Sequence, residues 1–533
     1  MPHRYARLEG VLHPTLITYS EGSFAINNRQ FFLVHASLMN CSILNVVYCS
    51  AELPVQSRFL PSIKGLMADP SQNSEHESLR AIVAEETQEF APPASKDSRL
   101  ALAVRALRHC NFQLFFSGQL ISLIGTWMQT VAESWLVYRL TGSTLMLGTV
   151  GFASQIPVFL MAPIGGIVAD RFNRHRVVIA TQTSAMCLAG ILAALTLSHR
   201  VHVWQVVVLA SCLGVVNAFD IPARQAFLID MVGREDLMNA IALNSSMFNG
   251  ARIIGPAVAG ILVASIGEGW CFFANSVSYI AVITGLLLMR IEHPAKLAGG
   301  GSALENILEG FAYARNTGPI RAILLLLGLI SFVGVPYAVL MPVFADQILH
   351  GGARGLGILM GATGVGALLG AASLAARVGL KGLGRLIGLC AGGFGISLIL
   401  FSFSRVFWLS TLLLIPVGFF IMVQMASSNT LIQSMVPDKL RGRILAVYSM
   451  MFMGMAPLGA VVSGVTAGRW GAPATVAGGG IICVAAAVVF GWRWPRLRID
   501  ARRLIDAAQM AAGVPPQSAI GGSVAIETSD EVA

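Results

Sequence analysis

Two ionisable side chains, Glu133 and Arg252, lie within long apolar stretches of this 533-residue chain. A charge in an apolar medium is costly, so a side chain of this kind is a functional hypothesis by default. Glu133 can bind and release a proton, and Gln129 lies one helical turn earlier on the same face. We therefore expect proton binding at Glu133, with Arg252 as the second candidate. The alternatives are a Glu133 that merely meets water or Arg139, and an Arg252 that pairs with a loop carboxylate.

A second acid–base pair is spaced four residues apart, with Asp220 and Arg224 on either side of Pro222. Side chains at this spacing are neighbours on a helix surface. The pattern predicts an ion pair that ends the fourth apolar stretch, and a proton relay is the alternative. Eight further polar side chains are candidates to line a cavity for substrate or protons: Asn217, Asn244, Asn249, Asn275, Tyr279, Tyr337, Gln424 and Asn429.

The run 165–176 places one acid and several bases between two apolar stretches. We expect Gly166 to permit close helix approach and Asp170 to face the positive N-terminal end of a neighbouring helix. Three arginines follow the acid and are expected to reach carboxylates on partner helices: Arg171, Arg174 and Arg176. Contacts that exist in only one conformation bias the equilibrium between two states. The alternative is a basic loop that sets topology and has no gating role.

The composition indicates a lipid environment for the chain. It is 55% hydrophobic and 12% charged, whereas soluble domains carry about 25% charged residues. The net charge of +9 is spread between apolar runs, which argues against nucleic acid as a partner. None of the eight cysteines forms a CxxC pair, and there is no Walker loop or HExxH motif. We expect no metal, no cofactor and no enzymatic activity.

The apolar segments are near the ~20 residues that a helix needs to cross a membrane. An all-α integral membrane fold is predicted, because lipid cannot satisfy an open backbone. Twelve spans are predicted, at about 112–138, 144–168, 175–197, 201–221, 244–266, 270–290, 321–345, 355–376, 384–404, 407–428, 444–468 and 473–492. The loops alternate between several bases and mostly single bases, which predicts that both termini are cytoplasmic.

The chain repeats itself at an offset of 204 residues, so that 214–267 resembles 418–471. Eight positions match at this offset: Gly214, Met231, Val232, Phe248, Gly250, Gly255, Gly260 and Gly267 recur as Gly418, Met435, Val436, Phe452, Gly454, Gly459, Gly464 and Gly471. Two pseudo-symmetric six-helix bundles follow, with the substrate path between them. The predicted organisation is an N-terminal extension 1–104, a bundle 105–290, a cytoplasmic linker 291–320, a bundle 321–492 and a cytoplasmic tail 493–533. We expect the extension to be disordered, or to reflect a gene start placed upstream of a true initiator at Met67.

The fifth stretch carries small residues around a proline: Gly250, Arg252, Gly255, Pro256 and Gly260. Small residues let helices pack closely, and a proline bends a helix. Ordinary membrane packing is the alternative role of this motif.

Both motifs resemble signatures of the major facilitator superfamily. The run 165–176 resembles its loop between helices 2 and 3, roughly G-x-L-a-D-R-x-G-R-[RK], with Asn173 at the second glycine. Asparagine tolerates left-handed backbone, so we expect Asn173 to fill that position. The fifth stretch resembles the antiporter signature G-x(3–4)-G-P-x-x-x-G, which is associated with exporters. Segments 125–171, 223–227 and 244–247 are similar to the bacterial branch that includes the enterobactin exporter and macrolide-efflux proteins.

The resemblance implies a multi-pass monomer in the bacterial inner membrane that works by alternating access. Many proton-coupled exporters carry an arginine where this chain has Ser211, so proton coupling here must use other groups, with Glu133 the best candidate. We predict an exporter of hydrophobic or amphipathic small molecules, such as drugs, siderophores or metabolites, in exchange for protons. The alternatives are a lipid or lysolipid flippase and a transport-inactive scaffold or sensor.

Overall fold

Long helices form in this chain because a helix satisfies its backbone polar groups within one segment, which lipid requires. The computed structural model describes residues 105–290, 303–377, 379–380 and 382–511, so the predictions for 1–104 and for the tail beyond 511 lie outside it. A short 3-10 helix, Arg105–Arg108, precedes six long helices. They are α1 (Cys110–Thr141), α2 (Thr144–Arg171), α3 (Arg174–Leu197), α4 (Val203–Val232), α5 (Leu237–Ile266) and α6 (Glu268–Leu288).

The second half of the chain adds a short helix and six long ones. α7 (Ala303–Asn316) precedes α8, which runs through Gly318–Val333, Val335–Leu340, Met341–Val343 and Phe344–Ile348. The next three helices are α9 (Gly352–Ala375), α10 (Leu383–Phe403) and α11 (Phe407–Met435). α12 comprises Asp438–Ser449, the π-helical turn Met450–Gly454 and Met455–Trp470, and α13 is Ala472–Ala511.

Eleven of the described helices are long and apolar enough to cross a membrane by length and composition. α1 is 32 residues long, and its polar side chains, among them Gln119, Gln129 and Glu133, lower its hydropathy. With α1 included, the described helices provide the twelve predicted spans. The prediction of an all-α integral membrane fold is confirmed, and the bundle and linker boundaries remain predictions.

Several helices extend beyond the apolar stretches from which the spans were predicted. The fourth span was expected to end at residue 221, but α4 continues to Val232. The last span was expected to end at residue 492, but α13 continues to Ala511. Hydropathy indicates where a segment leaves the lipid. A helix can continue beyond that point, because its backbone hydrogen bonds are also formed in water.

The 204-residue repeat corresponds to equivalent packing in the two halves. A methyl group on Gly255 would meet Trp127 on α1, and one on Gly459 would meet Phe332 on α8. Gly214 of α4 likewise meets α2, and Gly418 of α11 meets α9. Gly267 and Gly471 end α5 and α12 with φ angles of 89° and 83°, a region that favours glycine. The repeated glycines therefore sit at equivalent helix crossings, and the two bundles are pseudo-symmetric.

The two halves meet mainly along the helix pairs α2–α12 and α5–α9. A methyl group on Gly464 would lie 2.6 Å from the Thr144 carbonyl oxygen, and one on Gly260 would lie 3.0 Å from Gly357 Cα. Thr144 Oγ1 also donates a hydrogen bond of 2.8 Å to the Gly464 carbonyl. These contacts join the start of α2 to the end of α12, and the end of α5 to the start of α9. We call this side of the molecule the distal end, and the side that carries 171–176 the basic end.

Candidate functional site

Polar side chains form a buried network where α1 packs against α6. Gln129 Oε1 accepts a 2.7 Å hydrogen bond from the Asn275 amide. On α6, Ser278 Oγ donates to Asn275 Oδ1 at 3.2 Å. Glu133 lies one helical turn beyond Gln129 on the same face of α1, so the structure connects Gln129 to α6 and places Glu133 beside it.

Glycines at the α1–α6 crossing make room for this network. A methyl group on Gly118 would lie 2.7 Å from Val282 Cα, and one on Gly285 would lie 2.8 Å from the Leu114 carbonyl oxygen. A methyl group on Gly125 would lie 2.5 Å from Asn275 Oδ1 and 2.6 Å from Ser278 Oγ. The hydrogen-bonded amide of Asn275 thus occupies the space that a side chain at position 125 would fill.

Asp220 is the centre of a second polar cluster in the same half. Arg224 Nε lies 3.1 Å from Asp220 Oδ2, while Thr181 Oγ1 and Gln182 Nε2 each donate to Asp220 Oδ1 at 2.8 Å. The predicted ion pair is present, but the expectation that it ends the fourth helix is wrong. α4 continues to Val232, because the charges are neutralised within the bundle and need no exit to water.

A small cavity of ≈ 40 Å³ opens beside Asp220. Its polar lining comes from α1, α3, α4 and α6: Gln119, Ser122, Thr126, Thr181, Gln182, Asn217, Asp220, Arg224 and Tyr279. Of the sequence-predicted candidates, the structure therefore places Asn217 and Tyr279 with Asp220 and Arg224. The Tyr279 hydroxyl lies 3.4 Å from Thr126 Oγ1 of α1.

The distal ends of α1 and α6 are joined by an ion pair. Arg139 Nε lies 2.8 Å from Glu268 Oε1, and the Glu268 side chain is 8% exposed. Arg139 therefore pairs with Glu268, and the alternative in which Glu133 merely meets Arg139 does not describe this structure.

Arg252 and Tyr337 lie where the two halves face each other. The Arg252 guanidinium is 5.7 Å from the centre of the Trp127 ring, a geometry typical of a cation–π contact. Tyr337 of α8 is close enough to Arg252 to interact with it electrostatically. These two candidates are brought together across the halves, away from the Asp220 cluster on α4.

Three candidates are placed elsewhere. Asn249 Nδ2 donates 2.9 Å to the Ser245 carbonyl one turn earlier on α5, and Asn244 is buried on the same helix. Gln424 is fully buried on α11, where its amide donates to Ser428 Oγ at 3.3 Å. Gln424 and the Asp220 cluster thus belong to different halves of the molecule.

The run 165–176, called the signature run from here on, lies at the basic end. It differs from expectation in which of its glycines approaches α4. A methyl group on Gly165 would overlap the Ala218 carbonyl oxygen of α4, whereas one on Gly166 would meet nothing within 4 Å among the residues that the structure describes. The expectation that Gly166 permits the close approach is wrong for this structure, because it is Gly165 that faces α4. Asn173 does not adopt left-handed backbone either. Its φ is −65°, and its side chain accepts a 3.2 Å hydrogen bond from the Arg176 amide as the N-cap of α3.

Arg174 joins the loop of the signature run to α4. Its guanidinium lies 3.2 Å from Asp230 Oδ1 and also donates to the carbonyl oxygens of Ala169 and Ala226. Arg171 and Arg176 are both exposed, and Asp170 is half-buried at the end of α2. One of the three predicted arginine–carboxylate contacts is therefore visible, and it lies within the N-terminal half.

The motif on α5 packs in two directions. Gly255 meets α1, while Gly260 and the Pro256 carbonyl oxygen meet Gly357 of α9. A methyl group on Gly250 would have no neighbour within 4 Å in the described part of the chain. The motif therefore holds α5 against its own bundle and against the opposite one at the distal end.

The cavity also contains residues that the sequence analysis did not single out as site candidates: Gln119, Ser122, Thr126, Thr181 and Gln182. On α1 a signal was available. Positions 119, 122, 126, 129 and 133 are polar and follow a helical spacing of three and four residues, which puts them on one face. On α3 no comparable pattern exists, since Thr181 and Gln182 are adjacent.

Sequence comparison now identifies the family. A family model described as transmembrane secretion effector, of the major facilitator superfamily, matches residues 101–516. The chain belongs to this family. As a major facilitator protein it is a multi-pass membrane transporter of small molecules and not an enzyme.

Two curated relatives illustrate the range of this transporter family. The staphyloferrin A transporter of Staphylococcus aureus is 26% identical over 70% of this chain and 94% of its own length. The enterobactin exporter EntS of Escherichia coli is 24% identical over 64% of this chain and 81% of its own length. The predicted resemblance to the enterobactin-exporter branch is confirmed. Among solved structures, the nucleoside transporter NupG covers 72% of this chain with a TM-score of 0.57 and 16% identity, which shows a shared fold.

Proposed function

We propose that this transporter exports hydrophobic or amphipathic small molecules in exchange for protons, with Glu133 as the proton-binding residue. The observation that carries the proposal is the position of Glu133 within α1, one helical turn from Gln129, whose Oε1 accepts a 2.7 Å hydrogen bond from the Asn275 amide of α6. A carboxylate in a membrane span is costly, and protonation removes the charge. Its protonation state therefore changes the free energy of any conformation that encloses it.

Alternating access supplies the second part of the proposal. The halves contact each other at the distal end through Thr144–Gly464 and Gly260–Gly357. In a transporter these contacts would break when the distal side opens, and the α2–α12 and α5–α9 pairs would separate there. We infer that the basic end faces the cytoplasm and that both termini lie there, because positive loops stay on that side.

The substrate class is inferred from the relatives and from the faces between the halves. The two curated relatives are named for staphyloferrin A and enterobactin, and one of them is an exporter. Between the halves, Trp127, Arg252 and Tyr337 offer aromatic surface and a positive charge. An amphipathic molecule with a ring or an anionic group suits that lining, because rings stack and guanidinium groups bind anions.

The proposal is tested in an efflux-deficient bacterial host that expresses the full chain. The host is challenged with erythromycin, ethidium and a catecholate siderophore, and accumulation is measured with and without a protonophore. We expect lower accumulation of at least one compound, an effect that the protonophore abolishes. Glu133→Gln removes the proton-binding group at nearly constant shape and should abolish the effect at equal expression.

Glu268→Gln is the matched control, because it neutralises another buried carboxylate of the same half. Glu268 pairs with Arg139 at the distal end and takes no part in the Glu133 network. We expect this variant to keep protonophore-sensitive efflux. Full efflux by Glu133→Gln, or efflux that is insensitive to the protonophore, contradicts proton coupling through Glu133.

The alternatives receive less support. A flippase predicts a sideways-open cavity with a basic headgroup site. The described groove between α3 and α4, of ≈ 510 Å³, is lined by uncharged residues: Thr183, Ser184, Cys187, Leu188, Cys212, Val215 and Val216. A transport-inactive scaffold predicts that polar groups inside the bundle are lost, whereas the cavity beside Asp220 keeps a polar lining.

A further inference from the structure

α8 and α13 pack side by side in opposite directions in the C-terminal half. A methyl group on Gly318, at the start of α8, would lie 3.4 Å from Leu497 Cδ2 of α13. Further along α8, one on Gly334 would lie 2.9 Å from Cys483 Sγ. Because the helices run in opposite directions, the residue about one turn after Gly318 is level with the residue about one turn before Leu497. These two residues are Arg321 of α8 and Arg493 of α13.

Arg493 lies on the flank of α13 that faces away from α10. At about 100° per residue, Arg493 and Trp494 lie on opposite sides of Leu497, which contacts α8. Trp494 contacts α10, because a methyl group on Gly384 would overlap its ring. Three exposed side chains share the flank that faces away from α10: Val489, Arg493 and Arg496. An exposed flank with two arginines therefore borders the contact with α8.

α8 presents an exposed stripe beside this flank. Its members are spaced four residues apart: Arg321, Leu325 and Leu329. On one side of the stripe, Gly328 meets Met451 of α12. On the other side, the Val333 carbonyl oxygen meets Gly479 of α13. The stripe therefore faces outward between α12 and α13.

The stripe and the flank form one surface, which we call the α8–α13 groove. It consists of Arg321, Leu325, Leu329, Val489, Arg493 and Arg496. Asp346, near the end of α8, bonds Tyr138 at the distal end, so the start of α8 and the arginines lie toward the basic end. The apolar side chains follow toward the distal end, over about 12 Å along α8 at 1.5 Å per residue. Both helices are long and apolar enough to span a membrane, so these apolar side chains face lipid.

The arginines of the groove have no carboxylate partner within the described part of the chain. Arg321 Nη1 donates a 3.1 Å hydrogen bond to the Arg315 carbonyl oxygen, which leaves its other N–H groups available. Asp500 lies one turn beyond Arg496 on α13, and no ion pair joins the two. Guanidinium groups bind phosphate through two parallel hydrogen bonds. The charges of the groove therefore suit a phosphate group.

An exposed tryptophan marks the level of the arginines in the membrane. Trp492 precedes Arg493 in α13, and 78% of its surface is exposed. Tryptophan side chains are enriched at the boundary between lipid and water, where phospholipid headgroups lie. Basic pockets between helices at this level bind anionic headgroups. The groove thus offers positive charge at headgroup level and apolar surface at the level of the acyl chains.

We propose that the α8–α13 groove binds an anionic phospholipid. The lipid phosphate accepts hydrogen bonds from the three arginines, and an acyl chain lies along Leu325, Leu329 and Val489. A zwitterionic lipid has the same phosphate but brings a cation to the arginines, and a free phosphate leaves the apolar part of the groove uncovered. The groove lies on the outer surface of one half. A lipid bound there is a ligand of the transporter and not its transported substrate, and the proposal does not depend on Glu133.

The test titrates the purified full chain in detergent with dioleoylphosphatidylglycerol, and native mass spectrometry gives the Kd of the first bound lipid. Arg321→Gln and Arg493→Gln should each raise this Kd about fivefold, the factor for the ~1 kcal/mol that one basic side chain contributes at an anionic lipid surface. Arg321→Lys and Arg493→Lys keep the charge and should have smaller effects. Dioleoylphosphatidylcholine, with the same acyl chains, should bind at least about fivefold more weakly. Glycerol 3-phosphate in excess should not displace the lipid.

Arg498→Gln is the matched control. Arg498 is exposed on the same helix but on the side of Leu497 that carries Trp494, so the variant loses the same charge outside the groove. We expect the wild-type Kd for this variant. A Kd raised equally by Arg498→Gln and Arg493→Gln would mean that net charge alone attracts the lipid, and would overturn the site. Equal binding of the two lipids, or displacement by glycerol 3-phosphate, would also overturn the proposal of an anionic phospholipid.

Discussion

The Tyr138 hydroxyl donates a 3.0 Å hydrogen bond to Asp346 Oδ2, which joins the end of α1 to the end of α8 across the two halves. Tyr138→Phe removes this bond and leaves the ring in place, so the distal end should open more often. One hydrogen bond of ~1 kcal/mol corresponds to a roughly fivefold larger open population. Hydrogen–deuterium exchange of the backbone amides in segments 137–141 and 344–349 measures the population in which the distal end is open.

The control for this prediction is a buried tyrosine whose hydrogen bond stays within one half. Tyr448 on α12 donates a 3.0 Å bond to the Met425 carbonyl of α11. Tyr448→Phe should leave exchange at the distal end unchanged. Equal effects of the two variants would mean that the Tyr138–Asp346 bond does not hold the halves together.

Adjacent glycines of the signature run should respond differently to the same change. Gly165→Ala forces a methyl group onto the Ala218 carbonyl of α4 and should cost about 1–3 kcal/mol through overpacking. Gly166→Ala has open space and should leave stability unchanged or slightly higher. Thermal unfolding of the two variants in the same detergent provides the comparison. A lower melting temperature for Gly166→Ala than for Gly165→Ala would contradict the packing described for α2 and α4.

The Arg174–Asp230 pair should be worth roughly 0.5–3 kcal/mol of coupling, since both side chains are largely buried and 3.2 Å apart. A double-mutant cycle with Arg174→Ala and Asp230→Asn measures that coupling from detergent unfolding. Arg171→Ala, combined with Asp230→Asn, is the control, because Arg171 is exposed. Additive effects of Arg174→Ala and Asp230→Asn would show that the pair is not coupled.

Gly125→Ala should impair efflux although it removes no polar group. The added methyl would lie 2.5 Å from Asn275 Oδ1, so Asn275 must move away from Gln129. We expect the protonophore-sensitive efflux rate to fall. Gly250→Ala is the control, because a methyl group there meets nothing within 4 Å in the described part of the chain. Normal efflux by Gly125→Ala at normal expression would mean that the Asn275–Gln129 bond is dispensable.

Much of the fold is predictable because hydropathy reports which solvent each segment meets. The twelve apolar stretches and the 204-residue repeat of glycines indicate a two-bundle membrane fold before any coordinate is known. The ends of the helices are less predictable, as α4 and α13 show, because a helix continues past the lipid boundary wherever its backbone bonds remain favourable.

The candidate site is predictable only in part. Its chemistry is visible in the sequence, since Glu133 and the Asp220–Arg224 pair lie within apolar runs. Charged side chains in such runs need hydrogen-bond or ion-pair partners inside the bundle. The identity of those partners depends on which helix lies alongside. Asn275, Thr181 and Gln182 come from α6 and α3, and no spacing along the chain connects them to α1 or α4.

The sequence by itself determined the solvent, the helical fold, the family and the residues that could hold a proton. The tertiary structure decided that Gly165 and not Gly166 meets α4, that Arg139 pairs with Glu268, and that Asn275 of α6 bonds Gln129 of α1. The physical reason is the range over which each effect acts. Hydropathy and helical periodicity act between neighbours along the chain, whereas close packing and hydrogen bonding act between neighbours in space.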